Sequence, residues 1–168
     1  MATAAREMAM RAAWVAVVAM LAAGPALAGP TAAELGKGLG MTISAQGEVE
    51  NACGETVTAS VTEIDFGGKL GVTYLLVIPG GPNTAGCYGD VPGDSYLLAT
   101  GSQGFKVVFS GGGTIVMLST EHGGVHDFAI GGPGFSFPLY VWNGKSFVPK
   151  GEISEATLGA DTIGSYPY

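Results

Sequence analysis

Arginine is missing from this sequence beyond position 11. Arg6 and Arg11 are its only two copies, and the five remaining basic residues are all lysines. Residues 29–168 set those five Lys against thirteen Asp and Glu, a balance of −8 with His neutral. Nucleic-acid binding needs Lys and Arg to displace phosphate counterions, and Arg leads base recognition, so the chain is read as one without a nucleic-acid partner. The acidity favours solubility and would attract a basic partner. Cysteine is almost as scarce. Only Cys53 and Cys87 occur, with no Cys-x-x-Cys, which leaves thiol-redox catalysis without its dithiol. Also absent are a Gly-x-Ser-x-Gly nucleophile elbow and a Gly-Lys-Ser/Thr ending on either Gly111–Gly113 or Gly131–Gly134. Helical periodicity does not persist anywhere after residue 28.

The first 28 residues have an order of their own. Arg6 and Arg11 precede the apolar run from Ala12 to Ala23, and Ala26-Leu27-Ala28 ends it with a small-x-small pattern. A basic start, about a dozen apolar residues and an Ala-x-Ala end describe a cleaved secretory signal. The run is short of the roughly 20 residues that a membrane span needs. The mature chain is therefore expected in the periplasm or outside the cell, with no membrane span. In that oxidising setting two cysteines imply one disulfide, Cys53–Cys87. Closing a loop of about 35 residues, it would contribute roughly 3–4 kcal/mol.

Glycine is abundant. Of its 29 copies 28 lie after the signal, without a Gly-X-Y period, clustered between short apolar runs. The spacing predicts tight turns between strands. Val57, Ala59 and Val61 alternate with polar neighbours over Thr56–Thr62, and Val72–Ile78 is a continuous run suited to a central strand. Tyr96–Thr100, Phe105–Phe109, Thr114–Leu118 and Phe128–Ile130 follow. Leu139–Trp142 and Lys145–Val148 flank Asn143-Gly144, which predicts a two-residue type I′ hairpin closed by Pro149. The expected fold is all-β: about eight short antiparallel strands in a sheet, a barrel or a propeller-blade-like arrangement. The expected boundaries are 1–28 for the signal, 29–50 for a lead-in, 51–149 for the β domain and 150–168 for a tail. Thr31 and Glu34 have the spacing of a capping box for one helical turn in the lead-in.

Two stretches, 63–77 and 119–134, each place a Gly-Gly turn before a β-prone run. Asp127-Phe-Ala-Ile-Gly-Gly-Pro-Gly134 in particular resembles the FG-GAP type of repeat, whose Asp-rich loop precedes a strand. That resemblance implies a β repeat with a calcium loop. Calcium takes six to eight oxygen ligands, and here alternate loop positions hold Ser119, Glu121 and Gly123, or Gly67 and Lys69, so most of the ligand set is missing. Glu121, His122, His126 and Asp127 sit within seven residues and include both histidines of the chain, a donor set suited to zinc. The intervening Gly123-Gly124 disfavours the helix that would align them, and a solvated hairpin turn is the stronger reading of that loop. His126 and Asp127, as strand neighbours, should point to opposite faces and make a poor catalytic couple.

The aromatic residues Phe135, Phe137, Tyr140 and Trp142 gather in one segment, with Tyr140 and Trp142 on one strand face. Exposed Tyr and Trp suit protein or glycan contact, whereas buried ones would be core. The sequence therefore leads to a noncatalytic, exported binding module without a cofactor. Its contact region would be 133–148, and its partner a protein or glycan of the envelope or extracellular space. The alternatives are a divalent-metal module using 119–127 and a hydrolase with a site the sequence does not reveal.

Overall fold

The structure is a computed structural model that describes residues 29–82, 84–88 and 93–167. The secretory signal expected at 1–28 lies outside the described residues. Among them no helix is long and apolar enough to cross a membrane.

Helix α1 (Ala32–Gly38) opens the fold and has the capping box expected of Thr31 and Glu34. The Thr31 N–H and hydroxyl both donate to the Glu34 carboxylate, at 2.8 and 2.9 Å, and hold it below its ordinary pKa. Strands β1 (Glu48–Glu50) and β2 (Thr56–Thr58) form a small ribbon. Strands β3 (Ser60–Asp65), β4 (Val72–Pro79), β5 (Gly93–Gly101) and β6 (Gly104–Gly111) make a four-stranded antiparallel sheet in chain order, with helix α2 (Thr84–Cys87) between β4 and β5. Strands β7 (Thr114–His122), β8 (Val125–Gly131), β9 (Ser136–Trp142), β10 (Phe147–Ser154) and β11 (Thr162–Tyr166) form a second sheet in the order β10-β9-β8-β7-β11, with helix α3 (Glu155–Asp161) before β11. The all-β expectation holds as antiparallel sheets of two, four and five strands, with no closed barrel among the described residues.

The two larger sheets face each other across one core. Ile64, Phe66, Leu75, Val77, Leu97 and Phe109 come from the first sheet and its β3–β4 turn, and Ile115, Met117, Phe128 and Phe147 from the second. Phe128 is the hub of the aromatic packing, with the rings of Phe66, Phe109, Tyr140 and Phe147 all within 5.9 Å of its own. The other face of β4 and β5 is also covered. Leu76, Ile78 and Leu98 pack there against Leu35 of α1, Ile43, Val49 of β1 and Ala59. A strand buried on both faces has no polar alternation, which is why Val72–Ile78 reads as a continuous β-prone run.

Several expectations need correction. The segment 29–50 is part of the fold, because α1 and β1 cover one face of the four-stranded sheet. The stretch from Thr56 to Thr62 is two strands: Ala59, whose N–H donates to the Gly47 carbonyl, passes the chain from β2 to β3. The Asn143-Gly144 turn is not type I′, since among the described residues none other than glycine, and so not Asn143, has positive φ. Its central residues are Gly144 and Lys145. The Asn143 side chain accepts from the N–H groups of Lys145 and Ser146 at 2.9 and 3.0 Å and so caps the turn itself. Pro149 does not end the hairpin, because β10 is an edge strand and does not need that N–H. Finally, the segment expected as a tail is built into the sheet over 150–166. It completes β10 and then crosses by way of α3, which touches β7, β9 and β10, to pair β11 with β7 on the far edge, where Tyr166 packs against the core.

The two Gly-Gly segments meet in space. Gly67-Gly68 and Gly123-Gly124 all have positive φ, and the His126 N–H donates to the Phe66 carbonyl at 2.9 Å across the join. A Cβ on Gly68 would collide with the Gly124 carbonyl oxygen, whereas one on Gly71, also at positive φ, meets nothing within 4 Å. Gly71→Ala should cost about 1 kcal/mol, the backbone penalty alone. Gly68→Ala should cost about 2 kcal/mol or more, because the sheet ends must also separate. Denaturant unfolding of the two variants distinguishes them.

Candidate functional site

The cysteines expected to pair do so: Cys53 and Cys87 form a disulfide with Cα atoms 5.8 Å apart. The bridge ties the β1–β2 turn to the segment leading into β5. Buried Asn51 reinforces it with four hydrogen bonds. Its Nδ2 donates to the carbonyls of Pro79 and Gly80 at 3.2 and 2.9 Å, and its Oδ1 accepts from the N–H groups of Cys53 and Glu55. On the other side of the bridge the Tyr88 hydroxyl accepts from Ala52 N–H at 3.0 Å and donates to Asp94 Oδ2 at 3.1 Å.

These contacts fix the walls of an open cleft of about 420 Å³. Met41, Val49, Ile78 and the half-buried Tyr96 supply apolar surface, and Glu50 and Asp94 supply carboxylates. Among the described residues no cationic side chain lines it. Desolvation raises the Tyr96 pKa above its ordinary value of 10.0, and the charge of Asp94 adds to the effect. Tyr88 is raised too, first by desolvation. The site therefore repels negative charge and offers an apolar floor beside two carboxylates, of which Asp94 is held by Tyr88.

The four aromatics expected to form one contact surface are divided. Tyr140 and Trp142 pack against the central core, Phe137 is buried in the other face of the sheet, and Phe135 alone is exposed, at 85%. Trp142 keeps one opening, a depression of about 530 Å³ shared with Lys69, Gly123, Asn143 and Gly144.

The four donors of the 119–127 loop are divided as well. Glu121 stands opposite His126 in the β7–β8 ladder, with Oε1 3.6 Å from Nε2. His122 turns instead to Asp127. Among the described residues no group of three or more His, Cys, Asp or Glu is placed to hold a metal ion. His126 and Asp127 do diverge as strand neighbours, and the couple that forms is His122–Asp127, closed across the hairpin. Asp127 is buried, accepts from the Thr120 hydroxyl at 2.7 Å and lies 2.8 Å from His122 Nδ1. Lys150 Nζ lies 2.9 Å from His122 Nε2.

Asn51, Tyr88, Tyr96, Thr120 and Lys150 carry these sites and do not stand out in the sequence. Their nearest signals are position: Asn51 and Tyr88 flank the cysteines, and Lys150 precedes Gly151 after a strand proline. Comparison with protein families, with characterised proteins and with solved structures gives no match for this chain.

A raised phenol pKa stabilises the fold below pH 10, and that stability is lost as pH rises past 10 through the folded-state value. The unfolding free energy should therefore fall at strongly alkaline pH. Tyr96→Phe should show a shallower fall, measured by urea titrations from pH 8 to pH 11.

Proposed function

We propose that this protein is an exported, noncatalytic binding module, and that the cleft between β1 and β5 is its contact site. One observation carries the reading: an apolar cleft edged by Glu50 and Asp94, with no cation among the described residues that line it, is held open by a disulfide and by the Asn51 and Tyr88 hydrogen bonds. Such preorganisation lowers the ordering cost of binding. The matching ligand is an apolar side chain next to a Lys or Arg, as presented by a basic segment of a protein partner. The net acidity of the chain steers such a partner toward it.

A second contact is favoured by Trp142, whose depression with Lys69 and Asn143 combines an aromatic surface with polar groups in the manner of glycan sites.

Calorimetric titration of the full chain with a short Leu-Lys-Leu peptide tests the first reading. Tyr96→Ala should weaken binding roughly tenfold and Asp94→Asn roughly threefold to fivefold, with the Asp94 effect fading as salt rises. Affinity unchanged in both variants would refute the cleft. An effect of Trp142→Ala on binding of a neutral oligosaccharide would instead support the second contact.

A further inference from the structure

Two irregularities of the five-stranded sheet feed one polar cluster. Between the pairs Met117↔Phe128 and Glu121↔His126, three residues of β7 stand opposite Asp127 alone, and this bulge brings Thr120 and His122 to that carboxylate. Between Pro149↔Tyr140 and Glu152↔Pro138, Lys150 and Gly151 stand opposite Leu139. Gly151, at φ +110, allows this second bulge, from which Lys150 reaches His122. Bulges re-aim side chains, and these two converge.

The resulting chain is Lys150 Nζ, His122 and Asp127, with successive contacts of 2.9 and 2.8 Å. An ammonium has donors only, so it takes His122 Nε2 as acceptor and leaves the ring proton on Nδ1, facing Asp127. Asp127 is 1% exposed and is held in turn by Thr120, so the ring is fixed from its buried side. Glu121 and His126 pair elsewhere. This is the order of an activated nucleophile: an amine, a base within reach of its proton, and an acid that orients the base. Lys150 itself is exposed.

We propose that Lys150 is an acyl-acceptor site, at which this protein captures an activated acyl group from an aryl ester or a thioester. The amine form of Lys150 keeps one N–H on His122 Nε2 and turns its lone pair outward. Nζ attacks the acyl carbon, the N–C bond forms, and the bond from carbon to the leaving oxygen or sulfur breaks. The proton lost by Nζ passes to Nε2, and the phenolate or thiolate departs. An amide results, which is stable in water, so the reaction at Lys150 stops at one acyl group. His122 acts as base at the reacting nitrogen, and Asp127 and Thr120 are positioning residues.

The test is acetylation of the full chain by p-nitrophenyl acetate and by a simple acetyl thioester, with each lysine followed by peptide mass spectrometry. Lys37, Lys69, Lys106 and Lys145 are all exposed and serve as internal references. Lys150 should react roughly tenfold or more faster than their mean, in line with general-base assistance. His122→Gln should bring Lys150 down to the reference rate, and Asp127→Asn should lower it partway. The wild-type rate at Lys150 should also carry a pH inflection that His122→Gln removes while the reference lysines keep their profiles. Circular dichroism and reference rates equal to wild type confirm that the variants are folded. A Lys150 rate at or below the references would overturn the proposal, since its ammonium would then serve only as a clamp on His122. So would a rate unaffected by His122→Gln in a folded protein.

Discussion

Burial of β4 and β5 on both faces is the constraint from which the rest of this structure follows. Leu75, Val77 and Leu97 face one core, and Leu76, Ile78 and Leu98 face another, all nearly inaccessible to water. One sheet face cannot satisfy both sets, so the chain must supply two covering layers. The five-stranded sheet is one. The other is assembled from α1, Ile43 and the β1–β2 ribbon, elements too short to be stable alone. Each fully buried Leu or Ile is worth about 2–3 kcal/mol of transfer free energy, so a missing cover on either side would expose many such contributions at once.

The thin cover is where the disulfide is needed. A ribbon of two three-residue strands makes few contacts of its own, and Cys53–Cys87 attaches its turn to the segment entering β5. Asn51 closes the same corner with four hydrogen bonds, so no polar atom of that buried side chain goes unmatched. The cleft lies along the edge of this cover, with β1 on one side and β5 on the other. Its rigidity and its chemistry thus share an origin: the cross-links that hold the ribbon down also set Glu50 and Asp94 beside apolar surface.

What could be read from the sequence was whatever depends on neighbours along the chain. Alternation at Val57, Ala59 and Val61, the unbroken run at Val72–Ile78, the Thr31–Glu34 box and the cysteine pair all reappear in space. Long-range pairing was not legible. Strand β11 joins β7 across three intervening strands of the chain order, and nothing local in Thr162–Tyr166 announces it. Asn143-Gly144 misled because the turn is centred on Gly144 and Lys145, with the Asn143 side chain capping it in addition to the Asn143 N–H bond to the Ser146 carbonyl. The His122–Asp127 contact depends on a bulge, which shifts register without a sequence period to mark it. Tyr140 and Trp142 share a strand face as expected, and it is the face turned to the core.

The cleft stands or falls on where a basic ligand goes. Amide shift mapping of the isotope-labelled full chain, titrated with a Lys- and Leu-containing peptide, reports that position residue by residue. The account predicts saturable shifts concentrated at Met41, Val49–Ala52, Ile78, Asp94 and Tyr96. Weak, unsaturable shifts scattered over the exposed carboxylates, with those residues no different from the rest, would contradict it.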